Sequence, residues 1–192
     1  SLFGVIQGGS FQDLREESAA FIAKQPFQGF AIGGFLGTSS EERNQILQWT
    51  IPHLPPDRPR HFLGLGLVDD VFAMVAHGVD LFDCIAPTLM ASNGVFLSRN
   101  DPSFRIRILN RIQKEDSRPV EEGCGCYTCL HHSRAYLRHL FMVKEPLAPV
   151  LAAVHNLHFM ESLLMEIRCS IEEKRFPLLR EAWTKVPRPD RR

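Results

Sequence analysis

Four short apolar segments, each followed by a helical pattern, constrain this chain more than any other feature. "LFGVIQGG" is apolar and ended by paired glycines, so it reads as a buried strand. "SFQDLREESAAFIAKQ" follows, with Ser10 or Asp13 as its cap and Leu14, Ser18, Phe21 and Ile22 along one helical face. "GFAIGG" repeats the strand pattern. "SSEERNQILQWTIPHLPP" opens on a capping serine with glutamates in its first turn, and Pro52 stops it. "RHFLGLG" is a third strand, and "LVDDVFAMVAHG" is a helix leaving through Gly78. "VDLFDCIAPT" is a fourth strand, broken by Pro87. The order β-α-β-α-β-α-β with short connections predicts a parallel sheet with crossover helices. Either an open doubly wound sheet or part of a closed barrel satisfies it. Both put the active site at the C-terminal ends of the strands, where Gln7, Gly8, Gly9, Gly33, Gly34, Gly64, Gly66 and Asp83 gather. Four strands are half of an eight-stranded barrel.

The setting is that of an ordinary globular protein: 192 residues, 44% hydrophobic, with a formal net charge of zero. A generically basic, sticky protein is excluded, but a local nucleic-acid face is not. No window approaches eighteen apolar residues and no signal-peptide pattern opens the chain, so no membrane association and a cytoplasmic location are expected.

Beyond Thr88 the texture changes. "ASNGVFLSRNDPSFRIRILNRIQKEDSRPV" alternates and predicts short antiparallel strands and turns. "SRAYLRHLFMVKEP" is a helix stopped at Pro146, and "LAPVLAAVHNLHFMESLLMEIRCSIEEKRF" is a long helix entered through Pro149. "PLLREAWTKV" adds a short helix, and the tail "PRPDRR" is expected to fray. The expected organisation is residues 1–90 as barrel strands, 91–145 as a zinc-binding insertion and 146–192 as C-terminal helices.

Three of the five cysteines fall within "CGCYTC": Cys124, Cys126 and Cys129. Three soft ligands from one loop, with Gly123 and Gly125 to bend it, suit a tetrahedral structural zinc site. The fourth ligand should come from a packed neighbour. His155 on the long helix is a good candidate, His158 lies one turn on, and His131 and His132 are close in sequence. The rival is a Cys126–Cys129 redox pair, but no redox-type strand and helix N-terminus precede it. Cys84 and Cys169 read as buried apolar thiols.

Asp83 stands in an otherwise apolar strand, where a carboxylate is costly without a purpose. At a strand's C-terminal end it reads as catalytic. Asp80 alternates to the other face and belongs to the turn after Gly78, while Asp69 and Asp70 read as a helix cap and first-turn charge. Gln7 offers an amide donor and acceptor to a flat polar heterocycle, with the Gly33 and Gly34 backbone beside it. From Arg99 to Lys144 nine Lys or Arg face five acids, and Arg105 and Arg107 share a strand face. That stripe suits phosphates, with Tyr127 or Tyr136 available to stack a base.

Together "LFGVIQGG", "GFAIGG", "HFLGLG", "GVDLFDCIAPT", "CGCYTC", "HSRAYLRHL", "VHNLHFMESLLMEIR" and "SIEEKRF" resemble the tRNA-guanine transglycosylases, or queuine tRNA-ribosyltransferases. The resemblance implies a (β/α)8 TIM-type barrel with a zinc subdomain and C-terminal helices, of which this chain looks like the second half. It implies exchange of guanine at the tRNA wobble position for queuine or a 7-deazaguanine precursor. Asp83 would be the nucleophile, forming a glycosyl-aspartate, with Gln7 and the Gly34 backbone contacting the base and Leu63 packing on it. Cys124, Cys126, Cys129 and His155 match the family's zinc ligands. The implied partners are the tRNA anticodon loop and either a second copy or a catalytic–accessory pairing. The chain departs at "PTLMASNG", where Leu89 and Ser92 replace arginines that grip the anticodon loop, and at "FLGTSSEER", where the family has a longer pocket loop. The family's two further aspartates belong to the first half, so these residues alone are expected to be inactive.

Overall fold

A computed structural model describes residues 1–184, which form two compact units: Ser1–Ile85 and the residues from Ala86 on.

The first unit realises the β-α alternation. Strands β1 (Phe3–Ile6), β2 (Gly29–Ile32), β3 (Arg60–Phe62) and β4 (Leu81–Phe82) form one parallel sheet in sequential order. Helices α1 (Gln12–Ala23), α2 (Ser40–Thr50) and α3 (Val68–Ala76) provide the crossovers. Each strand pairs with the next, the order a β/α barrel uses, whereas a doubly wound sheet reverses direction midway. The result is a partial barrel-like sheet; the described residues do not close it. The register places Ile6, Ile32, Phe62 and Phe82 in one row. Ile6 and Phe30 pack with Ala19 of α1, while Ile32 and Phe62 pack with Ile46 and Leu47 of α2 and Met74 of α3. Strand alternation then turns the next row, Gln7, Gly33, Leu63 and Asp83, to the face without helices.

Local signals explain the boundaries, with three corrections. Ser39 caps α2 through the Glu42 N–H at 3.2 Å, and a 3-10 turn carrying Pro52 ends it. For α1, however, neither Ser10 nor Asp13 is the cap: the residue there is Phe11, with no side-chain capping bond. The helix is instead fixed by Arg15, buried beneath the sheet edge. The N-cap of α3 is Leu67 and not Asp69, while Asp70 sits in the first turn as expected and pairs with Arg43 of α2 at 2.8 Å, both nearly buried. The fourth strand is only two residues long. Pro87 ends no strand, because it is the second residue of helix α4 (Ala86–Ser92), where a missing N–H costs nothing.

The second unit continues with the expected antiparallel pair, β5 (Val95–Leu97) and β6 (Arg105–Arg107). Helices α5 (Tyr127–His131), α6 (Arg134–Met142), α7 (Leu147–Glu172) and α8 (Phe176–Thr184) follow. Pro146 is the N-cap of α7 and Pro149 lies in its first turn. The tail "PRPDRR" lies outside the described residues. The core joins Phe96, Ile106 and Ile108 to Leu137, Leu140, Ala148, Leu151 and Ala152. By length and composition α7 could cross a membrane. Here its Ala148, Leu151, His155, Asn156 and Phe159 are buried inside the unit, and both polar side chains are hydrogen-bonded there, as in a core helix.

Candidate active site and metal centre

Each residue singled out on the strands stands one position beyond its strand. Gln7 follows β1, Gly33 follows β2, Leu63 follows β3 and Asp83 follows β4, so a parallel sheet brings all four to one edge. Gln7, Gly33 and Leu63 are in contact range. A Cβ built on Gly33 would lie 3.1 Å from Leu63 Cδ1 and 3.3 Å from Gln7 Nε2. One built on Gly34 would overlap Gln7 Oε1, and Gly34 also has φ +76°, so both space and backbone demand glycine there. An amide, a bare backbone and an apolar side chain thus line one open rim, a set that suits the edge and face of a flat heterocycle.

Asp83 is not buried in a strand; its side chain is 58% exposed at the rim. The cost of burying a charge therefore does not explain it. Its Oδ1 accepts the Gly64 N–H at 3.2 Å, and Gly64 takes φ +75° to present that donor. His61 Nε2 stands 2.9 Å from the same oxygen. His61 precedes Leu63 by two residues, so strand periodicity puts it on the same face, a signal that the sequence carried. Asp80 stands past the turn at Gly78, just before β4, and accepts the N–H of Arg60 at the start of β3 at 2.9 Å.

Arg15 was the other residue that sequence reasoning passed over. It is fully buried, and its guanidinium donates to Gly9 O at 2.8 Å, Gly33 O at 3.0 Å and Phe35 O at 2.6 Å. Burial pulls its pKa down. The five-donor fork ties the loops after β1 and β2 together. Because C=O and N–H oppose each other in a trans peptide, anchoring the Gly33 carbonyl turns the Gly34 N–H away from Arg15. Arg15→Met should cost about 3–5 kcal/mol of stability by leaving three carbonyls without donors. Arg15→Lys should recover part of that, read from denaturant midpoints at unchanged m-value.

The second unit builds the metal centre. Gly123 at φ +79° bends the loop so that Cys124, Cys126 and Cys129 converge, and Cys126 caps α5 by accepting the Cys129 N–H at 3.3 Å. Thr128 ties α5 to α7 through Leu151 O at 2.7 Å, which brings His155 opposite the sulfurs. The four ligand atoms all lie within 4.8 Å of one another, and His155 Nδ1 is 3.8, 3.4 and 3.3 Å from the sulfurs of Cys124, Cys126 and Cys129. Tetrahedral zinc with Zn–S about 2.3 Å and Zn–N about 2.0–2.1 Å separates S and N ligands by roughly 3.6 Å, so the cluster fits the ion. His155 Nε2 lies 2.7 Å from the Leu97 carbonyl, and donating there leaves Nδ1 free for metal. Burial lowers the imidazole pKa, but the three sulfurs and that carbonyl outweigh it and raise the value. Burial likewise raises the Cys126 thiol, yet hydrogen bonds from His155, Cys129 N–H and Cys124 bring it down. Cys129 goes the other way, its thiol pushed up by burial, so within this pair it is Cys126 that is drawn toward the thiolate a zinc site requires. Four protein ligands leave no open position, so the role is structural.

His158 is not in the cluster; it lines a cavity of about 370 Å³ with Arg99, Glu121, Cys124, Glu166 and Trp183. His132 stacks on Tyr136, and His131 packs at a tilt against Tyr127 instead. Cys169 is exposed, contrary to expectation, and Cys84 is half-buried. Arg105 and Arg107 do share the open face of β6. Three of the other seven basic residues of the stripe are paired: Arg118 and Arg134 with Asp116, and Arg99 with Glu166 while lying 4.4 Å over Trp183. Arg118 and Arg134 hold the Asp116 carboxyl well below the usual carboxylate range.

The family model for queuine tRNA-ribosyltransferase matches residues 1–188. The chain is 41% identical to a queuine tRNA-ribosyltransferase of a Roseiflexus species over 95% of its own length and 46% of the relative's. It is 44% identical to a putative queuine tRNA-ribosyltransferase of Archaeoglobus fulgidus, covering 95% and 47% of the two chains. With a queuine tRNA-ribosyltransferase of Methylobacillus flagellatus it shares 45% identity over 92% and 47%. It therefore spans about half the length of these relatives. A parallel β/α sheet with its polar row at one edge, a Cys3His zinc cluster and a match along nearly the whole chain lead to one assignment: the chain belongs to the queuine tRNA-ribosyltransferase family.

Proposed function

We propose that this chain is the C-terminal half of a cytoplasmic tRNA-guanine transglycosylase that exchanges guanine at the wobble position for queuine or a 7-deazaguanine precursor. The observation that carries the reading is the shared row of Gln7, Gly33, Leu63 and Asp83 at one sheet edge. Asp83 attacks the ribose anomeric carbon, and the C1′–N9 electron pair leaves with guanine. The incoming base then displaces the carboxylate. One N9 proton is taken up by the outgoing purine and one is given up by the incoming purine, so the exchange balances. Gln7 and Gly34 hold the base edge and Leu63 its face. The zinc cluster holds the second unit together, and the open arginines of β6 and the loop after it meet anticodon-loop phosphates.

A complete site needs acids from a preceding half-barrel, whose strands would also extend the sheet past β1. The natural gene product should therefore incorporate radiolabelled guanine into tRNA, while residues 1–192 alone should not. Turnover by the isolated chain would overturn the half-barrel reading. A second reading, an accessory subunit working beside a catalytic one as a heterodimer rather than a homodimer, is favoured by Leu89 and Ser92. Leu89 is exposed on α4 where the family presents an arginine, and Ser92 spends its hydroxyl on Leu89 O at 2.8 Å. Absence of exchange by the natural gene product, with activity restored by a partner chain, would select it.

A further inference from the structure

The two contacts on Asp83 converge on a single oxygen. Gly64 N–H reaches Oδ1 at 3.2 Å and His61 Nε2 stands 2.9 Å from the same atom. No partner for Oδ2 occurs among the described residues. His61 Nε2 is itself buried, and in this state it is out of line for a hydrogen bond. A buried ring nitrogen without an aligned partner is costly, and the polar atom beside it is the carboxylate oxygen. Active-site hydrogen bonds are often misaligned until the reacting complex forms.

Resting on the reading of Asp83 as nucleophile, we propose that His61 is the positioning residue that divides the labour of this carboxylate. Its Nε2–H, with Gly64 N–H, holds Oδ1, and Oδ2 is the oxygen that attacks. Both the Nε2–H tautomer and the imidazolium carry the necessary proton, and that proton stays on His61 throughout. In the first step the Oδ2 electron pair forms the C1′–O bond while the C1′–N9 pair departs with guanine. Oδ1 becomes an ester carbonyl, a weaker acceptor than a carboxylate. In the second step the incoming N9 pair forms the new bond, the C1′–Oδ2 pair returns to the carboxylate, and negative charge reappears on Oδ1 in front of two donors. The donors thus stabilise Asp83 more as a carboxylate than as an ester. Losing His61 should favour attack, hinder discharge and make the covalent tRNA adduct accumulate. A residue that merely supported the fold would do the opposite, since a loosened site forms less adduct.

The test uses the natural gene product with tRNA bearing guanine at the wobble position, without added base, resolved on a denaturing gel. His61→Phe should raise the ratio of covalent to free tRNA and slow discharge by added guanine about 10- to 100-fold, the worth of one hydrogen bond to a charged group. The KM for guanine should stay within about twofold, because His61 touches the nucleophile and not the base. His61→Gln, whose amide nitrogen reaches where Nε2 stood, should restore discharge to near the wild-type rate. Discharge by a folded His61→Phe variant at the wild-type rate, or a His61→Gln variant as impaired as His61→Phe, overturns the proposal while leaving Asp83 as nucleophile. Base exchange by wild type with no adduct at any time overturns both.

Discussion

Asp83→Asn in the natural gene product should reduce guanine exchange into tRNA by at least about 10³-fold, the scale seen when a covalent nucleophile is removed. The covalent tRNA adduct should vanish with it. The substitution is nearly isosteric, and Asp83 lies past the end of β4 with its side chain 58% exposed. An asparagine carbonyl can still accept the Gly64 N–H that Asp83 Oδ1 accepts now. Folding stability should therefore change by less than about 0.5 kcal/mol, as for surface substitutions generally, and zinc content should not change. Under the proposed mechanism, what disappears is the carboxylate's capacity to form and release an ester. Gln7→Ala gives the contrasting pattern: Gln7 lies against Gly33 and Gly34, not against Asp83 in the row's register, so the expected loss is in base affinity. An Asp83→Asn variant exchanging base at more than about a tenth of the wild-type rate would remove Asp83 from the chemistry.

How far these residues can be read from the sequence depends on whether local pattern or tertiary contact decides them. The parallel sheet and its polar edge were legible because each strand is a short apolar run stopped by glycine or a polar residue, whereas the sequential strand order was not, since a doubly wound sheet fits the same alternation. The zinc loop was legible because three ligands lie within six residues, although choosing His155 over His158 needed either family resemblance or the distance from α7 to the loop. Asp83 was singled out for a partly wrong reason: the sequence suggested a charge inside an apolar strand, yet β4 ends at Phe82 and the carboxylate stands in the open. The helix at Ala86–Ser92 was missed because Pro87 looked like a strand breaker, when a proline in the first turn of a helix is equally well tolerated. Arg15 was hidden because an arginine in an amphipathic helix normally points to water. Its burial follows from three backbone carbonyls, two of them at least eighteen residues away along the chain, and no local pattern encodes those.

Removing the metal should unravel the unit that begins at Ala86 before the parallel sheet. Cys126→Ser, or exhaustive chelation, should take zinc from about one per chain to near none, since a Cys3His site of this type offers no spare ligand. Structural zinc in comparable small sites contributes apparent free energies of about 10–16 kcal/mol, more than a domain's usual margin of about 5–15 kcal/mol. Its loss should therefore be felt as cooperative unfolding, not as softening of one loop. The route is on view in the contacts around α7. Metal on Nδ1 fixes the His155 ring, whose Nε2 reaches the Leu97 carbonyl at 2.7 Å, and the adjacent Asn156 accepts the Leu97 N–H at 2.8 Å. The Asn156 amide also donates to Pro87 O at 2.9 Å and Val95 O at 3.0 Å, so α7 pins α4 and β5 through two consecutive side chains. When the ring is freed, protection from hydrogen exchange should fall at Leu97 and along α5, and helical ellipticity from α7 should melt at a temperature at least about 10 °C lower, given that 1 kcal/mol moves a midpoint by several degrees in a unit of this size. Amides of β2, which pair with β1 and β3 in the other unit, should keep their protection. A Cys126→Ser variant that retained zinc and melted like the wild type would break the four-ligand assignment. One that lost zinc without losing protection at Leu97 would keep the ligands but remove the metal's hold on β5.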